Sequence, residues 1–219
     1  MAYRETEKMR NRKAQARKRI LDCAFHCVTE GGFRSAQITH VAKAAGVATG
    51  TIYRHFESKE ALFAEIFRAA TQREVDKVAE ALAREGNAVA RLEAALRQFA
   101  ERALRGPTMA WSLIAEPVDP SVEAERLLYR KAYAQHFERA ISEGINEGSL
   151  PAQNARQSST CLVGAIAESL VGPLSPSQAG DETALDRDTQ QALVESIVCF
   201  CIQGLTGTGG HHERPPTRT

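Results

Sequence analysis

Several absences narrow the field before any motif is read. No run of eighteen apolar residues occurs in the 219, so no segment has the length of a membrane-spanning helix. The first residues are charged and carry no apolar run of the signal-peptide kind, which argues against secretion and for a cytoplasmic protein. Cysteine is sparse and badly placed for structure. Of five, Cys23 and Cys27 are four apart, Cys199 and Cys201 are two apart, and Cys161 stands alone. Neither spacing makes a disulfide framework or a zinc site, so reduced thiols are expected, with a redox sensor as the alternative. No strand-like alternation and no internal repeat is visible. No Ser-His-Asp order, metal cluster, paired catalytic carboxylates or phosphate loop is found. The expectation is therefore no enzyme, no cofactor and no metal. The His211-His212 pair lies in a Gly/Pro-rich end and reads as part of a floppy tail.

What remains is helical period and a charge asymmetry. With 43% apolar residues the chain can bury a sizeable core, in one or two domains. Net charge is only +1, but residues 1–60 hold twelve Lys or Arg against six Asp or Glu, leaving the remainder at five negative. A basic head on an acidic body is the footprint expected of a nucleic-acid reader with a separate sensing unit. Residues 1–14 are basic and without apolar period. They read as a disordered arm, either without a role or touching phosphates or the minor groove. A helix is expected from about Ala16 to Glu30, closed by Gly31-Gly32. A long helix should run from Ser58 to about Arg84. The spacing predicts further helices over 88–105, 108–115, from Asp119-Pro120 to about Gly144 or Glu147, over 152–171, and over 184–205. A Gly/Pro/Ser-rich loop, 172–181, and a disordered tail, 207–219, complete the reading. The fold class is thus all-α with about nine helices: a head at 15–60 and a body at 61–206.

Residues 35–63 are the most informative. Ile38, Val41, Ala42 and Ala45 recur at spacings of three and four, one buried helix face. Gly46 stands where a left-handed residue would close that helix. Val47 re-enters the core. The next helix begins near Thr49 and buries Ile52 and Phe56, while Thr49, Gly50, Thr51, Tyr53, Arg54 and His55 occupy its other face. Small, hydroxyl-bearing, aromatic and basic groups are the kinds that meet phosphates and base edges in a major groove. Ser58 opens the third helix. Tyr53 reads as core or as a phosphate contact, and His55 as a surface residue or a phosphate donor.

The run G-V-A-T-G-T-I-Y-R-H-F-E-S-K-E-A-L-F, residues 46–63, resembles the DNA-binding signature of the tetracycline-repressor (TetR/AcrR) family, over roughly residues 15–67. Two positions depart from it. Ala36 stands where the family often has a capping Thr, leaving Ser35 as the expected cap, and Thr39 stands where it often has Arg. The resemblance implies a homodimeric one-component regulator, usually a repressor. Its head would bind a near-palindromic double-stranded operator and be released by a small, mainly apolar effector held in the body. It makes Lys59 a phosphate-binding lysine and adds Thr39 and Lys43 to the DNA-facing set. It places the effector cavity on the middle helices, where Phe99, Met109, Trp111, Tyr129, Tyr133 and Phe137 cluster, although an aromatic at helical spacing is also ordinary core. Glu116 and Glu168, in mainly apolar surroundings, read as ligand-orienting or solvated. The last two helices are apolar on more than one side, which a twofold copy would bury. The family likewise pairs its final helices into a four-helix interface, here carried by Leu162, Ile166, Val194, Ile197, Val198 and Cys201. The competing class is an all-helical binding protein or enzyme with a vestigial motif. Steep salt dependence on arbitrary duplex DNA separates the two.

Overall fold

The computed structural model describes residues 7–176 and 186–207. The expected tail beyond Gly207, with His211 and His212, the start of the arm and the end of the 172–181 loop lie outside the described residues. Among those described there are nine α-helices and no strand: α1 (Glu7–Ser35), α2 (Ile38–Ala45), α3 (Thr49–Ile52), α4 (Lys59–Leu82), α5 (Ala88–Arg105), α6 (Pro107–Ile114), α7 (Pro120–Glu147), α8 (Ala155–Leu174) and α9 (Arg187–Thr206). No described helix is long and apolar enough to cross a membrane.

Start and stop chemistry explains most boundaries. Ser58, Asn87, Asp119, Asn154 and Asp186 each accept a backbone N–H of the following helix at 2.7–3.1 Å, satisfying a donor the first turn leaves over. Gly46 closes α2 in the left-handed region at φ 64°, and Gly148 closes α7 at φ 79°.

Four boundaries differ from the sequence reading. First, α1 starts at Glu7, inside the expected arm. Its Lys, Arg, Gln and Ala residues are good helix formers and need no apolar face to extend a helix already nucleated by Ile20, Ala24 and Val28. Second, Ser35 does not cap α2. Gln37 occupies the cap position without a side-chain bond, and the neighbouring Ala36 is buried in the head core. Third, the reading helix α3 has only four residues, and the backbone tightens into a turn before Phe56. Fourth, α8 runs through Gly172 and Pro173 to Leu174, so part of the expected loop is helix.

Two apolar clusters result. One joins α1–α3 to the start of α4, with Ile20, Val28, Val41, Ile52, Leu62 and Phe67 at its centre. The other joins the end of α4 to α5, α7, α8 and α9, with Val78, Leu92, Leu96, Ile141, Ile166 and Leu170. Each fully buried large side chain contributes about 1.5–3 kcal/mol. Helix α4 belongs to both clusters. The head cluster also takes in Val122 of α7, so the boundary near residue 60 is a change of neighbours along a continuous helix.

Candidate functional site

In the head, α2 and α3 meet at Gly46, and their outer face carries the positions singled out above. Thr39, Lys43, Thr49, Gly50, Tyr53 and Arg54 are exposed, and Thr51, His55 and Lys59 are half-buried. Tyr53 is half exposed, which excludes it from the core. Lys59 is the first residue of α4, where its Nζ lies 5.1 Å from the Phe63 ring centroid. That cation–π contact holds a cation at a helix start that would otherwise disfavour it. Arg17 sits over Phe56, 4.6 Å from the ring centroid, and is paired with Glu65 of α4 at 2.7 Å. Its charge is therefore committed to holding α1 against α4. His55 is lowered below the ordinary histidine range by burial, with Lys13 and Arg17 adding repulsion. Its Nδ1 is buried without a hydrogen-bond partner.

In the body, helices α4 to α8 enclose a cavity of about 240 Å³. Phe99, Met109, Tyr129, Tyr133 and Phe137 line it, five of the seven positions expected at a ligand site. Trp111 does not. It faces a separate hollow between α1, α6 and the end of α8, because Trp111 is two residues from both Met109 and Leu113, about 200° round the helix from each. Glu168 borders an outer groove between α7 and α8. The cavity wall is mostly apolar, but it includes Thr71, the Arg102–Glu74 ion pair at 2.6 Å and the buried Arg126.

Arg126 and Glu116 connect this cavity to the head. The Arg126 guanidinium donates to the carbonyls of Leu113 at 3.0 Å, Ser112 at 3.2 Å and Glu116 at 2.7 Å, and it pairs with Glu123. Burial lowers its pKa, which Glu123 partly offsets. It thereby satisfies the terminal carbonyls that α6 leaves without helical partners. Glu116, just beyond α6, is buried. Its two carboxylate oxygens accept the backbone N–H groups of Phe33 at 2.9 Å and Arg34 at 2.8 Å, in the last turn of α1. Gly32 makes this possible in two ways. Its φ of 73° and ψ of 176° turn the chain so that successive N–H groups point at the carboxylate, and a Cβ there would lie 2.9 Å from Glu116 oxygens. Glu116 was noticed in the sequence as an acid among apolar residues, but its partner is the protein's own backbone. Arg126 carried no sequence signal beyond a cation on an amphipathic helix.

The proposed dimer residues are placed differently from expectation. Leu162, Ile166, Val194, Ile197, Val198 and Cys201 are all buried within the protomer's own core, each at most 5% exposed. The sequence shows that two sides of α8 and α9 are apolar but not which side the protomer uses itself. The faces left over carry Cys161 and Gly164 on α8, and Ala192, Ser196, Cys199, Phe200 and Gly204 on α9. Phe200 is 66% exposed. Burial pushes the Cys201 thiol up to about 11, which makes it an inert packing residue. Among the described residues no group of three or more His, Cys, Asp or Glu is placed to hold a metal ion.

Comparison with known proteins fits this architecture. Residues 20–66 match the profile of the bacterial regulatory proteins of the tetR family. The fatty acid metabolism regulator protein of Bacillus subtilis (strain 168) is 24% identical over 181 residues, covering 81% of this chain and 93% of that one. The crystal structure of FadR from Bacillus subtilis in complex with stearoyl-CoA superposes with a TM-score of 0.69 at 21% identity, over 86% of this chain and 98% of that one, and shows the shared fold. The transcriptional repressor KstR of Mycolicibacterium smegmatis is 30% identical over 142 residues, 64% of this chain and 70% of that repressor. With a matching head, a matching helical body and that degree of identity, this chain belongs to the tetR family of bacterial regulatory proteins.

Proposed function

We propose that the protein is a homodimeric, cytoplasmic, non-enzymatic transcriptional repressor that binds a near-palindromic operator and is released by a small, mainly apolar effector. In the head, Thr49, Gly50 and Thr51 enter the major groove and read base edges. Tyr53, Arg54, His55 and Lys59, with Thr39 and Lys43, hold phosphates. The second copy packs on the leftover faces of α8 and α9. Small residues there let helices approach closely, and a Cβ at Gly164 or Gly204 would meet no atom of the protomer within 4 Å. The two heads then present α3 in twofold-related positions.

The observation that carries this reading is the double role of Arg126, which lines the cavity and also ties down the end of α6 from which Glu116 grips α1. A ligand that displaces Arg126 frees the α6 end, loosens Glu116 and lets the head leave the orientation it needs on the operator. The rings of Phe33, Phe67 and Tyr129 are in tilted contact, 6.2 and 6.3 Å between successive centroids, and also join α1, α4 and α7. The mechanism is a population shift, and an effector acts only by as much as it prefers the DNA-incompetent state. That a relative was solved with stearoyl-CoA supports a body cavity suited to apolar chains.

The test is selection of duplex DNA from a random pool by the full chain, followed by light scattering of the complex. Enrichment of an inverted repeat bound by two copies is expected, with affinity falling steeply with salt. Recovery of no sequence, or of salt-insensitive binding, would overturn the reading in favour of a helical binding protein.

A further inference from the structure

Thr71 behaves unlike six other hydroxyl residues on the described helices. Thr29, Ser112, Thr160, Ser169, Ser196 and Thr206 each donate to the carbonyl four residues back, at 2.8–3.0 Å. That is the ordinary resting place of a helical hydroxyl. Thr71 is buried in the middle of α4, only 4% exposed, yet its Oγ1 has no partner. An unpaired buried hydroxyl is costly, and Thr71 lines the cavity. Tyr133, across the cavity on α7, is half-buried and also lines the cavity. No described residue bonds to its hydroxyl, whereas Tyr129, one turn earlier, donates to the Arg68 carbonyl at 3.1 Å. Glu74, one turn on from Thr71, lines the same cavity as Thr71 and Tyr133. Phe99 fixes the Tyr133 ring edge-on, with centroids 5.6 Å apart.

We infer that the effector carries a neutral carbonyl oxygen on an otherwise apolar body, and that this oxygen accepts from both Thr71 and Tyr133. Two hydroxyl donors suit an oxygen with two lone pairs. Arg102 holds Glu74 through two bonds of 2.7 and 2.6 Å, so a free anion beside them would face the Glu74 carboxylate; of the other cations lining the cavity, Arg126 is committed to Glu123 and to backbone carbonyls, and Arg130 is exposed. The remaining wall at that level, Phe99 and Phe137, fits the apolar body. This inference rests on the reading of the cavity as the effector site.

The experiment compares nonan-2-one with its isostere 2-methylnon-1-ene, which replaces the carbonyl oxygen by a methylene. Uptake is measured as depletion of each compound from the headspace over the full-length protein. Thr71→Val and Tyr133→Phe should each weaken nonan-2-one about threefold to tenfold and leave the alkene unchanged. Ala110→Trp, or Ala167→Trp should the first variant unfold, fills the cavity and should abolish uptake of both. If that filling works but Thr71→Val and Tyr133→Phe change ketone and alkene equally, the carbonyl assignment is overturned and the cavity stands. If a filled variant takes up both compounds as well as the parent, or the parent takes up neither, the cavity reading falls and the carbonyl assignment with it. Nonanoate bound more tightly than nonan-2-one through Thr71 would overturn the neutral class.

Discussion

The head and the body of this chain are built on opposite principles. The head packs its apolar side chains into a solid cluster and turns its polar groups outward on α2 and α3. The body packs its apolar side chains around a hole and keeps polar groups facing into it: Thr71, Arg126 and the Arg102–Glu74 pair. A solid unit reads a fixed target with a fixed surface. A hollow unit with unsatisfied polar groups can be changed by what fills it. Helix α4 and the Glu116 grip on α1 are where the two meet.

The comparison is broken most severely inside the body core. Ile197→Glu buries a charge among Leu96-type neighbours and should cost several kcal/mol, enough to unfold the body. Phe200→Glu, on the leftover face of the same helix, should leave the protomer folded and only separate the copies. Thermal unfolding with light scattering distinguishes the two, and a folded monomer from Ile197→Glu would contradict the assignment of sides. The head core is next. Ile52→Ala should cost about 2–4 kcal/mol and remove DNA binding, because the short α3 has no other buried anchor. Retained operator binding by a folded Ile52→Ala protein would show that α3 is not held as described.

Smaller effects sharpen the surface of the head. Lys59→Ala should weaken binding to all sequences alike and reduce the salt slope by about one unit per lost contact, while Thr49→Ala and Thr51→Ala should alter sequence preference. An unchanged slope would remove Lys59 from the phosphate set. The smallest effect is a proton. His55 is depressed below its unfolded value of about 6.5, so the free head binds fewer protons than the unfolded chain and loses stability as pH falls below that value. A phosphate beside His55 would favour the charged ring, so DNA binding should take up a proton and tighten as pH falls from 8 towards 6. His55→Gln should flatten that dependence. An identical pH profile in the variant would return His55 to a surface role.

The same contrast explains what the sequence made legible. Ile38, Val41, Ala42, Ala45, Gly46 and Ser58 are local signals, readable from spacing and backbone preference, and the structure has them where expected. The arm misled because absence of an apolar face says nothing about whether Lys, Arg, Gln and Ala extend a helix. The aromatic residues of α5 and α7 and Trp111 are grouped because the resemblance places a cavity on the middle helices; Phe99, Tyr129, Tyr133 and Phe137 line it, whereas Trp111 lies on the other side of α6. The residues expected at the dimer interface lie in the protomer's own core for a related reason. Periodicity marks a helix as apolar on two sides, but only the packed structure says which side is already used. Glu116 meets the end of α1 more than 80 residues away through backbone N–H groups, and Arg126 reaches the Glu116 carbonyl from the next helix, pairings that no local pattern encodes.

The link from cavity to head is most directly tested by amide hydrogen exchange at Phe33 and Arg34 in the Arg126→Met protein. That change removes the guanidinium from the cavity wall and releases the carbonyls at the end of α6, without touching α1. If Arg126 holds Glu116 in place, both amides should lose protection by about tenfold or more, while Leu92 and Leu96 in the body core keep theirs. Protection at Phe33 and Arg34 equal to that of the parent protein would contradict the coupling and leave Arg126 as a packing residue alone.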